Sequence, residues 1–272
     1  MARGIGRWLR GACHRDWSRE IYVQGQETAS QSGLWRGVAV GGARGFAMVI
    51  TEIFKSIQGE GTRAGLPCIF VRLTGCNLRC TWCDTAYAFH GGTKHSIEEV
   101  LEKVHALAGD RERRIPLVEI TGGEPLLQAE TPALAEKLIA AGYSVMIETS
   151  GERFVGELPR GVIKIVDVKC PDSGELDTFD MANLEALGAD DEIKFVISTR
   201  RDYDFARDFV IKHRLSERVH EVIFSPVFAD PGGAWPGLTA RGLAEWILND
   251  GLPVRLGLQL HKFIWDPAMK GV

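Results

Sequence analysis

Residues 67–84 read PCIFVRLTGCNLRCTWCD, an apolar run followed by three cysteines within eight residues. The run is rich in β-branched and aromatic side chains, which favours a short buried strand. Cys76, Cys80 and Cys83 come directly after it, in a polar segment that opens with a glycine. This part of the chain therefore predicts a functional site that is built where a strand ends.

Apolar runs rich in Val and Ile alternate with amphipathic stretches from about residue 48 onward. Strands are predicted at 49–54, 67–73, 117–120, 143–148, 162–168, 192–197, 221–224 and 254–259. Helices are predicted at 96–108, 131–141, 181–187, 202–213 and 239–248. Such alternation favours βαβ units, an α/β class and a mostly parallel sheet. Because a closed eight-unit barrel needs about 250 residues, we predict a partial, open β/α barrel.

Polar and Gly-rich segments follow most of the predicted strands. They lie at 72–76, 121–125, 148–151, 167–170, 225–226 and 259–262. In α/β folds the site lies at the carboxyl ends of the strands, which meet at one edge of the sheet. We therefore expect these segments to form a single rim around the site.

The first 47 residues differ in composition from the remainder. They carry seven Arg, no Lys, three acidic residues and nine Gly, with no clear hydrophobic period. This composition predicts a disordered N-terminal extension over 1–47 and a functional domain over 48–272 that starts at Met48. An Arg-rich, acid-poor leader is also typical of an organelle transit peptide, which stays the alternative.

The overall composition is that of an ordinary globular protein. Hydrophobic residues make up 45% and charged residues 25% of the 272 residues, which excludes collagen-like, disordered and disulfide-scaffold classes. The net charge of −4 offers no basic footprint for nucleic acid. No stretch approaches the roughly 18 consecutive apolar residues that a membrane span needs. We therefore expect neither a nucleic-acid nor a membrane partner.

Three of the six cysteines are crowded into one loop. In a chain without a secretory signal, such crowding indicates metal or redox chemistry in a reducing compartment, here the cytoplasm. Three thiolates suit an iron–sulfur cluster in which one iron has no protein ligand. The alternative is a structural zinc site with His90 or His95 as the fourth ligand, although the sequence offers no second cysteine pair.

The spacing Cys76-x-x-x-Cys80-x-x-Cys83, with Trp82 before the third cysteine, resembles the motif of the radical S-adenosylmethionine superfamily. The turn at 122–125, Gly-Gly-Glu-Pro, is similar to a second element of that superfamily. This resemblance implies that the three cysteines hold a 4Fe–4S cluster and that S-adenosylmethionine binds its open iron. It also implies that no side chain is itself the catalytic group, because the cofactor carries the radical.

Segments outside the cysteine loop narrow the resemblance from the superfamily to one of its families. Residues 51–61 (TEIFKSIQGEG), 83–85, 147–151 and 259–263 resemble the 7-carboxy-7-deazaguanine synthase family, and the likeness extends from about residue 48 to the C-terminus. It implies a radical carbon–nitrogen lyase that contracts the ring of 6-carboxy-5,6,7,8-tetrahydropterin to 7-carboxy-7-deazaguanine with loss of ammonia. That reaction belongs to the biosynthesis of queuosine and other 7-deazapurines, within purine metabolism.

The same resemblance implies roles for individual residues. For S-adenosylmethionine it implies contacts with Trp82, Cys83, Asp84, Gly122, Gly123, Glu124, Asp167, Val168, Lys169, Ser225, Pro226, Val227 and Phe228. For the pterin it implies contacts with Ile57, Gln58, Gly59, Glu60, Arg72, Thr121, Glu148 and His261. Thr85 matches a magnesium (Mg²⁺) ligand, a role that suits a hard hydroxyl oxygen. The planar fork of Arg72 suits the substrate carboxylate.

The resemblance also implies partners. A one-electron reductant such as flavodoxin would reduce the cluster, and members of the family are commonly homodimers. The main alternative is a glycyl-radical-enzyme activase, a small enzyme of the same superfamily whose substrate is a protein. The segment at 58–61, together with Asp84, Thr85 and His261, favours a small polar substrate instead.

Overall fold

The structure is a computed structural model that describes residues 47–110, 114–228 and 237–272. All described residues belong to one compact unit. The predicted extension over 1–47 lies outside them, apart from Ala47 at the start of the first strand. No helix in these ranges is both long and apolar enough to cross a membrane.

Nine strands and six α-helices make up the described part of the chain. The strands are β1 (Ala47–Ile57), β2 (Pro67–Leu73), β3 (Thr93–Ser96), β4 (Leu117–Gly122), β5 (Ser144–Thr149), β6 (Val162–Asp167), β7 (Glu192–Ile197), β8 (Glu221–Pro226) and β9 (Arg255–Leu256). The helices are α1 (Ile97–Ala108), α2 (Thr131–Ala140), α3 (Asn183–Ala186), α4 (Arg200–His213), α5 (Ala240–Asp250) and α6 (His261–Ile264). Every predicted strand and helix is present; β2 and β7 have the predicted bounds, and the other elements have shifted ends.

The strands of the described residues form one sheet in the order β3-β1-β2-β4-β5-β6-β7-β8-β9. From β2 to β9 every neighbouring pair is parallel, whereas β1 runs antiparallel to both β2 and β3. Within these ranges the two outermost strands do not pair with each other, so the sheet stays open. The prediction of a mostly parallel, partial β/α barrel is confirmed.

The sheet differs from the prediction at its two edges. No sequence pattern predicts β3, because its four residues are polar, and it forms by antiparallel pairing with the start of β1. At the other edge β9 has two residues, whereas six are predicted at 254–259. The backbone of Gly257 passes so close to β8 that a Cβ there would lie 2.5 Å from Ser225 Oγ, and the pairing ends at this approach.

A hydrophobic core lies between the sheet and its helices. The fully buried side chains of the central strands include Ile69, Val71, Val118, Ile120, Val145 and Ile147. They pack with α1 and α2, while Phe195, Tyr203 and Phe224 join β7 and β8 to α4 and α5. Ser96 caps α1 in the predicted capping box with Glu99, so this helix begins where the sequence indicates.

Parallel pairing brings the carboxyl ends of β2, β4, β5, β6, β7 and β8 to one edge of the sheet. The register places Arg72 opposite Thr121 on β2 and β4, and Asp167 opposite Lys194 on β6 and β7. Most of the predicted polar segments follow these strands and meet at this edge. The rim therefore forms as predicted, and it positions the site.

The buried side chain of Asn183 holds the loop after β5 by hydrogen bonds to its backbone. Its amide nitrogen donates to Gly151 O at 2.8 Å and to Arg153 O at 3.1 Å, and its amide oxygen accepts from Val155 N at 2.9 Å. We expect Asn183→Ala to lower the free energy of unfolding by about 2–3 kcal/mol, because buried backbone groups lose their partners. Chemical denaturation measures this loss. Asn249→Ala, at an exposed position of α5, is the control, and a loss at Asn183 no larger than the control's would contradict the prediction.

Candidate active site

A cavity of about 700 Å³ opens at the rim where the strands end. The predicted site residues that line it are Ile57, Gln58, Gly59, Glu60, Arg72, Cys76, Cys80, Trp82, Cys83, Asp84, Thr85, Thr121, Gly122, Gly123, Glu148, Asp167, Lys169, Ser225, Pro226, Val227, Phe228 and His261. The other two predicted residues, Glu124 and Val168, have buried side chains behind this lining. Folding thus brings segments from most of the described chain into one space.

The backbone of the cysteine loop is tied to two other segments. Gly75 N donates to Ala88 O at 2.8 Å, within the residues that follow the loop. Thr81 N donates to Ser173 O at 2.8 Å, which links the loop to the segment after β6. The loop is therefore held at both ends, and its three thiols keep fixed places in the cavity.

The three thiols are free, and each cysteine is partly exposed. Burial raises the pKa of Cys80 to about 11, and it also raises the pKa of Cys76 and Cys83. The nearby Lys169 ammonium acts in the opposite direction and favours the thiolates. The thiols of the free protein therefore carry protons at neutral pH, and metal binding would release those protons.

The turn after β4 packs directly against the cysteine loop. Gly123 N donates to Leu73 O at 3.3 Å, and Glu124 N donates to Gly75 O at 2.8 Å. A Cβ on Gly123 would lie 2.3 Å from Gly75 O and 2.7 Å from Cys76 Cβ, so only glycine fits without a shift of the loop. This close approach places the predicted cofactor turn beside the predicted cluster ligands.

The geometry does not favour the zinc alternative. Within residues 47–110, 114–228 and 237–272, no three His, Cys, Asp or Glu side chains converge closely enough to hold one metal ion. His95 is engaged elsewhere, with Thr93 Oγ1 at 2.7 Å and Glu99 Oε2 at 3.5 Å. One of the two candidate fourth ligands therefore already has partners outside the cysteine loop.

Glu124 is an internal anchor. One of its carboxylate oxygens accepts from Thr149 Oγ1 at 2.8 Å and from Leu126 N at 3.0 Å, and the other accepts from Ser150 N and Oγ, both at 2.8 Å. The side chain is completely buried, so these four donors replace water. The carboxylate ties the end of β4 to the end of β5. The predicted contact of Glu124 with the cofactor stays a prediction. Val168 packs into the hydrophobic core.

The cavity contains a group of charged residues, two of which, Glu119 and Lys194, the sequence analysis missed. Lys194 of β7 pairs with Glu60 at 2.9 Å and with Glu148, and Gln58 donates a hydrogen bond to Glu119 of β4. Burial alone would lower the pKa of Lys194, but the two carboxylates outweigh burial and raise it well above its usual value. A charged residue inside an apolar strand run, as in LVEIT and EIKFVI, is the signal that could have revealed Glu119 and Lys194.

The three carboxyl groups beside Lys194 differ in their tendency to ionise. Burial raises the pKa of Glu148, and burial together with the charges of Glu148 and Glu60 raises the pKa of Glu119 well above its usual value. Burial also opposes ionisation of Glu60, yet Lys194 and a hydrogen bond from Gln259 hold its pKa below the usual value. Ionisation is therefore opposed most strongly at Glu119.

Arg72 is held by partners that the sequence pattern does not show. Its Nε donates to Glu52 Oε1 at 2.8 Å, and Tyr87 OH donates to the same oxygen at 2.7 Å. The guanidinium carbon lies 5.9 Å from the ring centres of Phe54 and Tyr87. The guanidinium is thus fixed in the cavity lining by a bond that uses Nε and leaves the two terminal nitrogens for other acceptors.

Asp84 links the cysteine loop to the C-terminal part of the chain. Its Oδ2 accepts from Lys262 Nζ at 2.8 Å and from Gln259 Nε2 at 3.2 Å, and its Oδ1 accepts from Thr85 Oγ1 at 2.9 Å. Burial opposes ionisation, but the Lys262 ammonium holds the pKa of Asp84 well below its usual value. Gln259 also donates to Glu60 at 3.0 Å, so one amide joins two segments of the lining.

The C-terminal segment forms another part of the lining. Residues 266–272 border the cavity, and Lys270 Nζ lies 4.3 Å from the ring centre of Tyr87. His261 packs on the backbone of Gly59, where a Cβ would lie 2.1 Å from the imidazole Nδ1. Burial lowers the pKa of His261, which favours a neutral imidazole at neutral pH. The sequence assigns no role to 266–272, because this segment carries no motif.

Comparison with known proteins identifies the family. The profile of the Radical SAM superfamily matches residues 70–209. A protein named 7-carboxy-7-deazaguanine synthase from Koribacter versatilis is 55% identical over 231 residues, which cover 83% of this chain and 100% of that protein. A protein of the same name from Chlorobaculum tepidum is 43% identical over 82% of this chain and 96% of that protein.

The fold is also similar to that of a solved structure. The crystal structure of QueE from Escherichia coli superposes with a TM-score of 0.62 and 24% sequence identity, over 79% of this chain and 95% of that chain. Superfamily membership implies a 4Fe–4S cluster and S-adenosylmethionine, and the three free thiols beside the glycine turn fit that pair of cofactors. The chain therefore belongs to the radical S-adenosylmethionine superfamily and, within it, to the 7-carboxy-7-deazaguanine synthase family.

Proposed function

We propose that this chain is a lyase that converts 6-carboxy-5,6,7,8-tetrahydropterin to 7-carboxy-7-deazaguanine with loss of ammonia, a step in the biosynthesis of queuosine or other 7-deazapurines. The observation that carries the proposal is one cavity that joins two unlike sets of groups. The first set is the three free thiols with the Gly123 turn, and the second is Arg72 with the buried charges around Lys194. The names of the two relatives described above support the same activity.

We assign the cluster to Cys76, Cys80 and Cys83. With the reduced cluster, S-adenosylmethionine supplies the one-electron chemistry that starts the reaction. The residues proposed to contact this cofactor through the cavity are Trp82, Cys83, Asp84, Gly122, Gly123, Asp167, Lys169, Ser225, Pro226, Val227 and Phe228. Glu124 and Val168 would act through the backbone that they hold in place. Asp167 Oδ1 is buried without a hydrogen-bond partner among the described residues, which leaves an acceptor for a donor group of the cofactor.

The cavity also offers a partner for each part of the proposed substrate. The terminal nitrogens of Arg72 suit the carboxylate, because a guanidinium binds a carboxylate with two parallel hydrogen bonds. Thr121 and Glu148 offer oxygen acceptors for the N–H groups on the amino and amide edge of the pterin. Residues 57–60, His261 and the segment 266–272 would cover the ring and exclude water.

Four finer points belong to the same proposal. Thr85 offers a hard oxygen for Mg²⁺. A reductant of the flavodoxin type would supply the electron, and the enzyme would act as a homodimer. We place it in the cytoplasm, because the free thiols of the cysteine loop suit a reducing compartment. The main domain would be the segment 48–272.

A glycyl-radical-enzyme activase is the less favoured function. The substrate of such an enzyme is a protein. The backbone of a protein substrate offers one N–H donor per residue, so its donors are spread along the chain. This cavity instead carries an ammonium and three carboxyl groups within one buried cluster. Several acceptors so close together suit a small molecule with several N–H donors on one edge.

Cys80→Ala tests the cluster and the reaction together. Wild-type protein, reconstituted anaerobically, should hold about four irons and four sulfides per chain. With S-adenosylmethionine and a reductant it should form 7-carboxy-7-deazaguanine from the pterin, as followed by mass spectrometry. Cys80→Ala should lose both the cluster and the product, because a thiolate ligand is missing. Cys170→Ala is the matched control, since Cys170 is buried outside the cavity lining.

The outcomes of this experiment separate the parts of the proposal. A cluster and 5′-deoxyadenosine without 7-carboxy-7-deazaguanine would contradict the substrate. Bound zinc in place of iron would contradict the cluster. Retention of iron and activity by Cys80→Ala would contradict the assignment of that ligand.

Gly123→Ala tests the close approach of the turn to the cysteine loop. The added methyl group must displace Gly75 O or Cys76 Cβ, so we expect lower iron content after reconstitution. Activity should fall by about 100-fold, since a displacement of about 1 Å near the reacting groups has an effect of that size. Gly188→Ala is the control, because a Cβ at that position meets open space. Iron content and activity at the level of the control would show that the contact is unimportant.

A further inference from the structure

Lys194 is a buried cation for which the roles proposed above have no place. Its side chain is 6% exposed and lies on β7, opposite Asp167 of β6. Its Nζ lies 2.9 Å from Glu60 Oε2, in the loop after β1, and also pairs with Glu148 Oε1 near the end of β5. One side chain therefore joins three separate segments that surround the cavity.

Two carboxylates share this one ammonium, and a third carboxyl group lies beside them. Glu119 accepts a hydrogen bond from the neutral amide of Gln58, whereas Glu60 and Glu148 pair with Lys194 directly. Burial and the neighbouring carboxylates raise the pKa of Glu119 well above its usual value, which opposes its ionisation. The positive charge of Lys194 is thus divided between Glu60 and Glu148.

The other charged groups that face this cluster have partners of their own. Lys169 pairs with Asp167 at 2.8 Å, at the end of β6, and Arg72 pairs with Glu52 at 2.8 Å, across β2 and β1. On α6, burial lowers the pKa of His261 and leaves the imidazole neutral near pH 7. Lys194 is therefore the cation on which the charge of Glu148 depends.

We propose that Lys194 is a positioning residue, which keeps Glu148 ionised and fixed in the cavity so that it accepts hydrogen bonds from the amino and amide edge of the substrate. The inference rests on the function proposed above, which puts that edge at Glu148. Two of the three N–H donors of Lys194 are already used by the two carboxylates. Its pair with Glu148 is therefore the route by which we expect it to affect the substrate.

A buried ion pair can also serve the stability of the fold alone. The chain contains a matched pair for comparison: Lys164 of β6 lies 3.0 Å from Asp191, and both side chains are largely buried. Lys164 lies outside the cavity lining. Lys164→Met should therefore lower stability without a change in the chemistry of the cavity, whereas Lys194→Met should change both.

The two roles differ in the pH dependence of catalysis. Without the ammonium, the effect of burial on Glu148 is unopposed, so its pKa rises and ionisation needs a higher pH. We expect the acid limb of kcat/KM for Lys194→Met to move upward by about 1–3 pH units. At pH 7 the KM for the pterin should rise about tenfold or more, because a hydrogen bond to a charged acceptor is lost. Lys194→Arg keeps the charge and should shift the limb far less.

Glu148→Gln completes a double-mutant cycle. In the Glu148→Gln variant the side chain at position 148 is neutral, so Lys194 has no carboxylate charge there to maintain. Adding Lys194→Met to this variant should therefore change KM by less than about twofold. An equal increase in KM in both backgrounds would overturn the proposal. A wild-type KM and pH profile in Lys194→Met would also overturn it, as would the same shift in Lys164→Met.

A measurement without substrate separates this proposal from the proposed function. Infrared spectra of the cluster-loaded protein at several pH values report the carboxyl stretch of protonated Glu148, which is identified by its absence in Glu148→Gln. We expect this band to persist to a higher pH in Lys194→Met than in the wild type. If the band shifts in Lys194→Met but the wild type forms no 7-carboxy-7-deazaguanine, the proposed function fails and the control of Glu148 by Lys194 is supported. If product forms and the band does not shift, the positioning role is overturned.

Discussion

Parallel pairing between β2 and β4 holds the candidate site together. Its register sets Leu73 opposite Gly122, so the two strands end side by side. The cysteine loop and the glycine turn begin there, and Gly123 lets their backbones come into contact. Buried side chains on both strands maintain this register, because a slip by one residue would turn the apolar side chains away from the core. The hydrophobic core thus determines where the three thiols and the glycine turn meet.

The same edge of the sheet brings charged groups into a space with little water. An isolated buried ammonium would be strongly unfavourable, and the pairs that Lys194 makes with Glu60 and Glu148 offset that cost. Glu124 follows the same principle with four hydrogen-bond donors in place of a cation. Groups held in this way have one arrangement available to them. That rigidity suits recognition of a small ring with fixed donor and acceptor positions.

One part of the cavity indicates the cofactors, and the other part bears on the choice of substrate. The cysteine loop and the glycine turn are shared with a large superfamily, so they identify the cofactors and the type of chemistry without naming a substrate. Under the proposed function, substrate choice would fall to Arg72, to the cluster around Lys194 and to the C-terminal segment at 266–272, which all line the cavity. These groups come from the strands and the tail rather than from the shared loop. The proposed pterin reaction needs both parts in one cavity.

Sequence pattern accounts for the α/β class, the open parallel sheet and the polar rim, because each of these follows from residues that are close along the chain. The individual residues of the cavity lining came from the resemblance to a family. Apolar runs form buried strands, and the motif around Cys76, Cys80 and Cys83 is complete within one loop. The strand β3 escapes prediction because its polar residues become a strand only by pairing with β1. Lys194 escapes because its partners lie 134 and 46 positions away. The order of the strands in the sheet brings these partners next to Lys194. Electrostatic interaction depends on distance in space rather than on separation along the chain.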